Sequence, residues 1–312
     1  MSALLNIIFP IFAIVIAGYI CGRYNLLGPE SSEALNQFVY WVALPALLFK
    51  AMANVNLAAV FNWSFIGGFT IALFVLWILA SAVGRFLFRL NTAESALHGL
   101  NGVYANTGYM GIPLALAAYG DEAGLPAILA TVISVMSVAL AIIPIEISRR
   151  RPTNSYRVFA QVGKALICNP MIVAPVIGLI WASTNLSLAT PVETFMNILG
   201  AAAGPCALFA IGLYLVGKPV VEGTAEIATI TIMKLVIHPA LTGIAVVFIF
   251  PTEPLWAAVA VLCAALPIGS GPFVLAQAQN IYVRRTSTAM LTTTALSIAT
   301  VSIILILFPP II

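Results

Sequence analysis

Two stretches of this sequence combine glycine, proline and small polar residues in a pattern that suits ligand binding. One reads Asn106-Thr-Gly-Tyr-Met-Gly-Ile-Pro113, the other Leu266-Pro-Ile-Gly-Ser-Gly-Pro272. Proline lacks an N–H and its ring clashes with the carbonyl one turn earlier, while glycine lets the chain leave helical geometry. A helix restarted after such a break presents free N–H groups and the positive end of its dipole, which favour an anion or a carboxylate. On this reading Pro113 and Pro272 break the helices, and Gly111 and Gly271 let the backbone approach a guest. Asn106, Thr107, Ser270 and Gln277 supply neutral hydrogen-bonding groups, with Asn101 and Gln279 nearby. The plainer reading is a pair of proline kinks.

Isolated charges come next. Lys234 and His238 stand one helical turn apart, followed by Pro239. They suit a coupling or supporting site, and the plainer reading is a lysine that reaches back to the surface. Lys50, five residues after Pro45, either draws a carboxylate inward or anchors a helix at the interface. His98 reads as a satisfied interface histidine, and Glu146 as a partner of Arg149–Arg151. No Ser/His/Asp set, His-Glu-x-x-His pair, phosphate-binding loop or paired buried acids appear, so an enzyme or an ATP-driven pump is disfavoured. Cys21, Cys168, Cys206 and Cys263 lack metal-type spacing and read as packing residues. The expectation is no metal and no cofactor, with proton or Na⁺ coupling left open.

The elements that position these residues follow from composition. Only 7% of the 312 residues are charged, 62% are hydrophobic and the net charge is +3; mean hydropathy is +1.09. A soluble domain carries about 25% charged residues. A soluble enzyme and a nucleic-acid-binding chain are therefore excluded, and the partner surface is the lipid bilayer.

A membrane helix needs about 20 apolar residues. The charge-free runs give ten such spans, at 4–22, 33–52, 62–84, 96–119, 124–147, 162–182, 192–216, 226–249, 255–278 and 287–308. The first does not read as a cleavable signal peptide, since it has no basic n-region. Eleven of the 13 basic residues fall in alternate loops: Arg23, Arg85, Arg89, Arg149, Arg150, Arg151, Arg157, Lys164, Lys218, Arg284 and Arg285. By the positive-inside rule those loops are cytoplasmic, with both termini outside.

The halves also resemble each other. A shift of 160 carries Pro10, Gly18 and Ile20 onto Pro170, Gly178 and Ile180, and Pro45, Leu48 and Phe49 onto Pro205, Leu208 and Phe209. A shift of 159 carries Pro113 onto Pro272. Five helices per repeat is odd, so the repeats are inverted, as in many secondary transporters. The predicted fold is an all-α integral membrane protein of ten transmembrane helices in two inverted five-helix repeats, with broken helices 4 and 9.

These stretches, together with Ala43-Leu-Pro-Ala-Leu-Leu-Phe49, resemble the auxin efflux carrier family, which includes plant PIN-formed carriers and bacterial malonate- and malate-linked permeases. The resemblance runs the length of the chain. It implies scaffold helices at 1–60 and 162–218, transport-domain helices at 61–148 and 219–312, and a cytoplasmic loop at 149–161. It also implies a crossover of helices 4 and 9 at Pro113 and Pro272, an elevator-like movement, and a homodimer formed through the scaffold. Asn106 matches an asparagine of the family's substrate site. Plant members pair a lysine placed like Lys234 with an aspartate in span three; residues 62–84 hold no acid here, which puts proton coupling through such a pair in doubt. The function expected is secondary transport of a small organic anion, such as malonate, malate or an auxin-like acid, across the cytoplasmic (inner) membrane. An anion channel and a membrane-embedded enzyme are the alternatives.

Overall fold

A computed structural model describes residues 2–55, 57–148, 163, 167–214, 216 and 223–309. The expected loop 149–161, Lys164 and Lys218 lie outside the described residues. The helices, in chain order, are α1 (Ser2–Arg23), α2 (Pro29–Phe38), α3 (Leu44–Ala53), α4 (Leu57–Val60), α5 (Trp63–Phe86) and α6 (Thr92–Val103). Then come α7 (Ile112–Tyr119), α8 (Gly124–Met136), α9 (Val138–Ser148), α10 (Pro170–Ala182), α11 (Thr190–Ala201) and α12 (Ala203–Tyr214). The last five are α13 (Thr224–Ile232), α14 (His238–Ile244), α15 (Pro254–Ala265), α16 (Gly271–Gln279) and α17 (Val283–Leu307). Among the described residues there is no strand, only one isolated antiparallel bridge, Ala105 with Ile268.

Among the described residues, six helical stretches are long and apolar enough to cross a bilayer: Glu30–Ala53, Trp63–Phe86, Asp121–Glu146, Thr190–Tyr214, Thr224–Ile249 and Val283–Leu307. This is a multi-pass, all-helical membrane architecture. The other four expected spans fall outside that set. Residues 96–119 divide into α6 and α7, residues 255–278 divide into α15 and α16, and within 162–182 the described helix is α10. Residues 4–22 lie within α1, which runs from Ser2 to Arg23.

Helix starts follow from local chemistry. Asn91 and Glu94 form a capping box on α6, and Asn62 and Asn169 accept N–H bonds at the starts of α5 and α10. Prolines leave a second signature. Pro45, Pro113, Pro239 and Pro251 each follow a five-residue π-helical turn: Val39–Ala43, Thr107–Gly111, Met233–Ile237 and Ala245–Ile249. The residue before each proline donates its N–H to the carbonyl five positions back: Leu44 to Val39, Ile112 to Thr107, His238 to Met233 and Phe250 to Ala245. The ring would collide with a normally placed carbonyl, so the preceding turn widens by one residue.

Two close helix pairs organise one side of the molecule, α1 along α12 and α10 along α3. Both depend on a glycine. A Cβ on Gly18 would collide with the carbonyl oxygen of Phe209. A Cβ on Gly178 would lie 2.6 Å from the carbonyl oxygen of Phe49. Gly18 and Gly178 differ by 160, and so do Phe49 and Phe209, so the two contacts exchange under the shift seen in the sequence. Elsewhere α15 is buried on every side from Trp256 to Ala265, and Phe65, Phe69, Leu97 and Leu100 pack in the same core.

Candidate functional site

Helix α6 stops at Val103, and Tyr104 is extended (φ −74°, ψ 102°). Helix α15 stops at Ala265, and Leu266 is extended (φ −67°, ψ 158°). The opened backbones then satisfy each other. Asn106 N–H donates to the Pro267 carbonyl at 2.8 Å, and Gly269 N–H to the Tyr104 carbonyl at 3.2 Å. Unpaired backbone at membrane depth is costly, and this mutual pairing removes much of that cost.

Side chains complete the second break. Lys234 Nζ donates to the Ala264 carbonyl at 2.7 Å, and Thr300 Oγ1 to the Ala265 carbonyl at 3.2 Å. Ile268 N–H donates to Thr293 Oγ1 at 3.2 Å. Beside the first break, Asn101 Nδ2 reaches the Leu97 carbonyl at 2.8 Å and Thr286 Oγ1 at 3.0 Å. Helix α17, which carries Thr286, Thr293 and Thr300, therefore braces both breaks.

A shallow cleft, with room for about one water-sized group, opens beside the bridge. Tyr104 to Tyr109 line one wall, with Gly269 and Ser270 from the second break, Thr131 and Val135 from α8, and Met171 from α10. None of these lining residues is charged. The first N–H to bond within the π turn is that of Met110, to the Asn106 carbonyl, and in α16 it is that of Val274, to the Ser270 carbonyl. The earlier N–H groups of both segments have no partner within their own helix, as at any helix start. The wall thus combines amide and hydroxyl groups with two positive helix ends.

The structure sorts the predicted residues. Asn106, Thr107 and Ser270 line the cleft, whereas Gly111, Pro113, Gly271, Pro272 and Gln277 do not. Pro113 follows Ala105 by eight residues and Pro272 follows Ile268 by four, so the prolines align at 159 and the breaks do not. The first half carries a π turn between break and proline that the second lacks. Pro113 packs instead on α12, where a Cβ on Gly204 would lie 3.1 Å from its ring. Gly111 makes room for Leu266 (Cδ1 at 2.9 Å from a built Cβ), and Gly271 for the ring of Tyr104 (Cζ at 2.5 Å). Both glycines let the two breaks pack together; neither faces the cleft. Gly271→Ala is expected to displace Tyr104 and lower stability by about 1–3 kcal/mol, read as a drop in unfolding temperature in detergent.

Gln277 is exposed. Lys50 pairs with Glu193 at 3.9 Å, both partly exposed, a contact worth little. Lys234 is fully buried and does not reach the surface; its second contact is His238 Nδ1 at 3.2 Å. Tyr104, Gly108, Tyr109, Thr131, Val135, Met171 and Gly269 were not singled out from sequence. Thr131 and Met171 sit in ordinary apolar helices and reach the cleft only because α8 and α10 pack there, with Met171 against Gly108. Among the described residues no group of His, Cys, Asp or Glu is arranged to hold a metal ion.

The family model for membrane transport proteins matches residues 3–305. The chain belongs to this family. It is 32% identical to a Rhizobium meliloti (strain 1021) protein named "Putative malonate transporter", over 97% of this chain and 95% of that one. It is 28% identical to the uncharacterized transporter YfdV of Escherichia coli (strain K12), covering 93% and 92%. It is 24% identical to auxin efflux carrier component 8 of Arabidopsis thaliana, covering 90% and 91%. As a member of the auxin efflux carrier group the protein is a membrane transporter and not an enzyme, which removes the membrane-embedded enzyme reading.

Proposed function

We propose that the protein is a secondary carrier of a small organic anion, with the carboxylate seated in the cleft beside the Ala105–Ile268 bridge. The observation that carries this reading is the meeting of two helix starts at a cleft lined by Asn106, Thr107 and Ser270 and by no charged side chain. Fixed amide and hydroxyl dipoles stabilise a carboxylate without requiring a buried counter-charge. The kinship with a protein named for malonate supports a carboxylate guest.

The remaining parts of the proposal are architectural. The exchanged contacts at Gly18–Phe209 and Gly178–Phe49 support two inverted five-helix repeats. Helices α1–α3 and α10–α12 then form the scaffold, and α5–α9 with α13–α17 the moving domain, with the paired breaks as the crossover. An elevator-like slide parts Pro113 from Gly204 and Gly108 from Met171. Both termini face outward from the cytoplasmic membrane, and two copies meet through their scaffolds.

Uptake and counterflow of labelled malonate, malate and monocarboxylates in proteoliposomes test the reading. Saturable flux with counterflow is the expected result; flux that never saturates indicates a channel, and no flux from folded protein removes the proposal. Asn106→Ala is expected to weaken binding by about 1.5–3 kcal/mol, at least roughly tenfold in Kd, as loss of a hydrogen bond to a charged group does. Unchanged binding would take Asn106 out of the site.

A further inference from the structure

A second polar cluster lies away from the cleft, on the side that the basic loops mark as cytoplasmic. It joins α6, α13, the connection after α16, and the start of α17. Tyr282 Oη lies 2.7 Å from Glu226 Oε2 and 3.0 Å from His98 Nδ1. Arg285 Nε lies 3.2 Å from the same Glu226 oxygen, with its guanidinium over the Tyr282 ring at 5.3 Å from the centroid. None of these residues takes part in the cleft.

Counting protons fixes the direction of each bond. A tyrosine hydroxyl has one hydrogen, and the carboxylate can only accept. Tyr282 therefore donates to Glu226, and its oxygen accepts from His98 Nδ1–H. Burial and then the Glu226 carboxylate push the Tyr282 hydroxyl above its ordinary range, so it stays a donor. The imidazole thus carries its hydrogen on Nδ1 and a bare lone pair on Nε2. That Nε2 atom is buried and has no hydrogen-bond partner, while Glu226 at the other end of the chain keeps 11% of its side chain exposed. An unpaired acceptor in a buried position is uncommon and calls for an explanation.

We propose that His98, Tyr282 and Glu226 form a proton-binding relay that couples carboxylate transport to protons; this rests on the carrier reading above. His98 is closed to water in this structure, so the proton reaches Nε2 when local opening admits water, and it forms an N–H bond there. His98 Nδ1 gives its hydrogen to Tyr282 Oη as Tyr282 gives its own to Glu226 Oε2. The imidazole ends neutral in the other tautomer, Tyr282 is unchanged, and Glu226 holds the added proton. In the reverse direction Glu226 gives its proton to Tyr282 Oη, Tyr282 gives its own hydrogen to His98 Nδ1, and Nε2 releases its hydrogen to water, which resets the chain.

The charged groups around this path are few. Glu94 lies one turn before His98 on α6. On α5, Arg85 follows Gly84, against which His98 packs, but its guanidinium is turned to the Leu90 carbonyl at 2.8 Å. Arg89 and Arg284 are exposed. Arg285 is a cation on Glu226, and protonation of Glu226 cancels that pair. The pair lies against backbone in the left-handed region. Asn280 and Tyr282 have φ of 53° and 59°, and Gly223, at φ 76°, lies under Arg285. Its loss loosens the start of α17 one residue before Thr286, the partner of Asn101 beside the first break. Proton uptake at Glu226 therefore acts on the helix that braces both breaks.

Two measurements test the relay. The chain has two histidines, so ¹⁵N-histidine spectra of the protein in nanodiscs resolve His98, assigned by its loss in His98→Gln. At neutral pH His98 is expected as the Nδ1–H tautomer, and Tyr282→Phe, which keeps the ring and removes the hydroxyl, abolishes that preference. An Nε2–H tautomer in the wild type, or an unchanged Tyr282→Phe spectrum, overturns the relay. In proteoliposomes, a gradient of one pH unit is expected to drive wild-type [¹⁴C]malonate accumulation up to about tenfold. Tyr282→Phe keeps malonate counterflow and loses the accumulation. Equal accumulation in both proteins overturns the relay. Absence of malonate counterflow in the wild type counts against the carrier reading instead, and the tautomer result then decides the relay by itself.

Discussion

Valine at Gly18 is expected to eliminate the folded protein, and valine at Gly178 to do the same. At Gly18 the first added carbon already collides with the Phe209 carbonyl oxygen, and it comes within 3.2 Å of Gly212 Cα. At Gly178 it lies 2.6 Å from the Phe49 carbonyl oxygen and 3.1 Å from Ala53 N. These neighbours are backbone, so relief requires parting the helices. Overpacking a core costs about 1–3 kcal/mol even where side chains can adjust. Here α1–α12 and α10–α3 must separate along their length, and the loss approaches the whole stability of a typical domain, about 5–15 kcal/mol. Alanine at either site carries the same colliding Cβ and is expected to destabilise strongly as well, though less than valine, whose two further methyl groups push the helices farther apart. Size-exclusion profiles and thermal unfolding in detergent read both outcomes. A valine variant that elutes and melts like the wild type would show that these contacts do not hold the helices. A large effect at one glycine and none at the other would count against two equivalent repeats.

Lys234→Met is expected to stop transport while leaving a folded protein. The end of α15 is cut short at the break, so its last carbonyls have no helical partners and carry the negative end of the dipole. The ammonium of Lys234 sits on one of them, at Ala264. Methionine keeps most of the volume and cannot donate, so the carbonyl loses its partner at a cost of about 1–3 kcal/mol. Relief from burying a charge offsets part of that. Lys234→Ala adds a cavity and is expected to bring the total to about 3–5 kcal/mol. In both variants the end of α15 is released next to the bridge that shapes the cleft, and uptake in proteoliposomes falls to background. Wild-type uptake by Lys234→Met would show that the lysine does not position the break.

The membrane class, the helix-only fold and the two break regions were legible because they depend on local properties. An apolar run of fixed length needs the bilayer as solvent, and glycine with proline interrupts a helix wherever it stands. The prolines were less informative about place. Pro45, Pro113, Pro239 and Pro251 all widen one turn, and the chain carries on as helix after Pro45, Pro113 and Pro239. Full opening occurs at Tyr104–Asn106 and Leu266–Ser270, where another opened backbone lies alongside to pair with it. Lys234 posed the same difficulty. Its position in the chain suits both a buried donor and a surface anchor, and only the Ala264 carbonyl distinguishes them.

The sequence by itself therefore determined a helical protein embedded in lipid with two regions of interrupted helix, since composition, periodicity and backbone stereochemistry act over a few residues. The tertiary structure alone decided which groups meet. Thr131 and Met171 enter the cleft, Gly111 and Gly271 make room for the opposite break, and His98, Glu226 and Tyr282 join across separations of 56 to 184 residues. Such contacts depend on helix packing and on which buried polar atom finds a partner. Their free energy is set by long-range geometry that no local pattern of residues encodes.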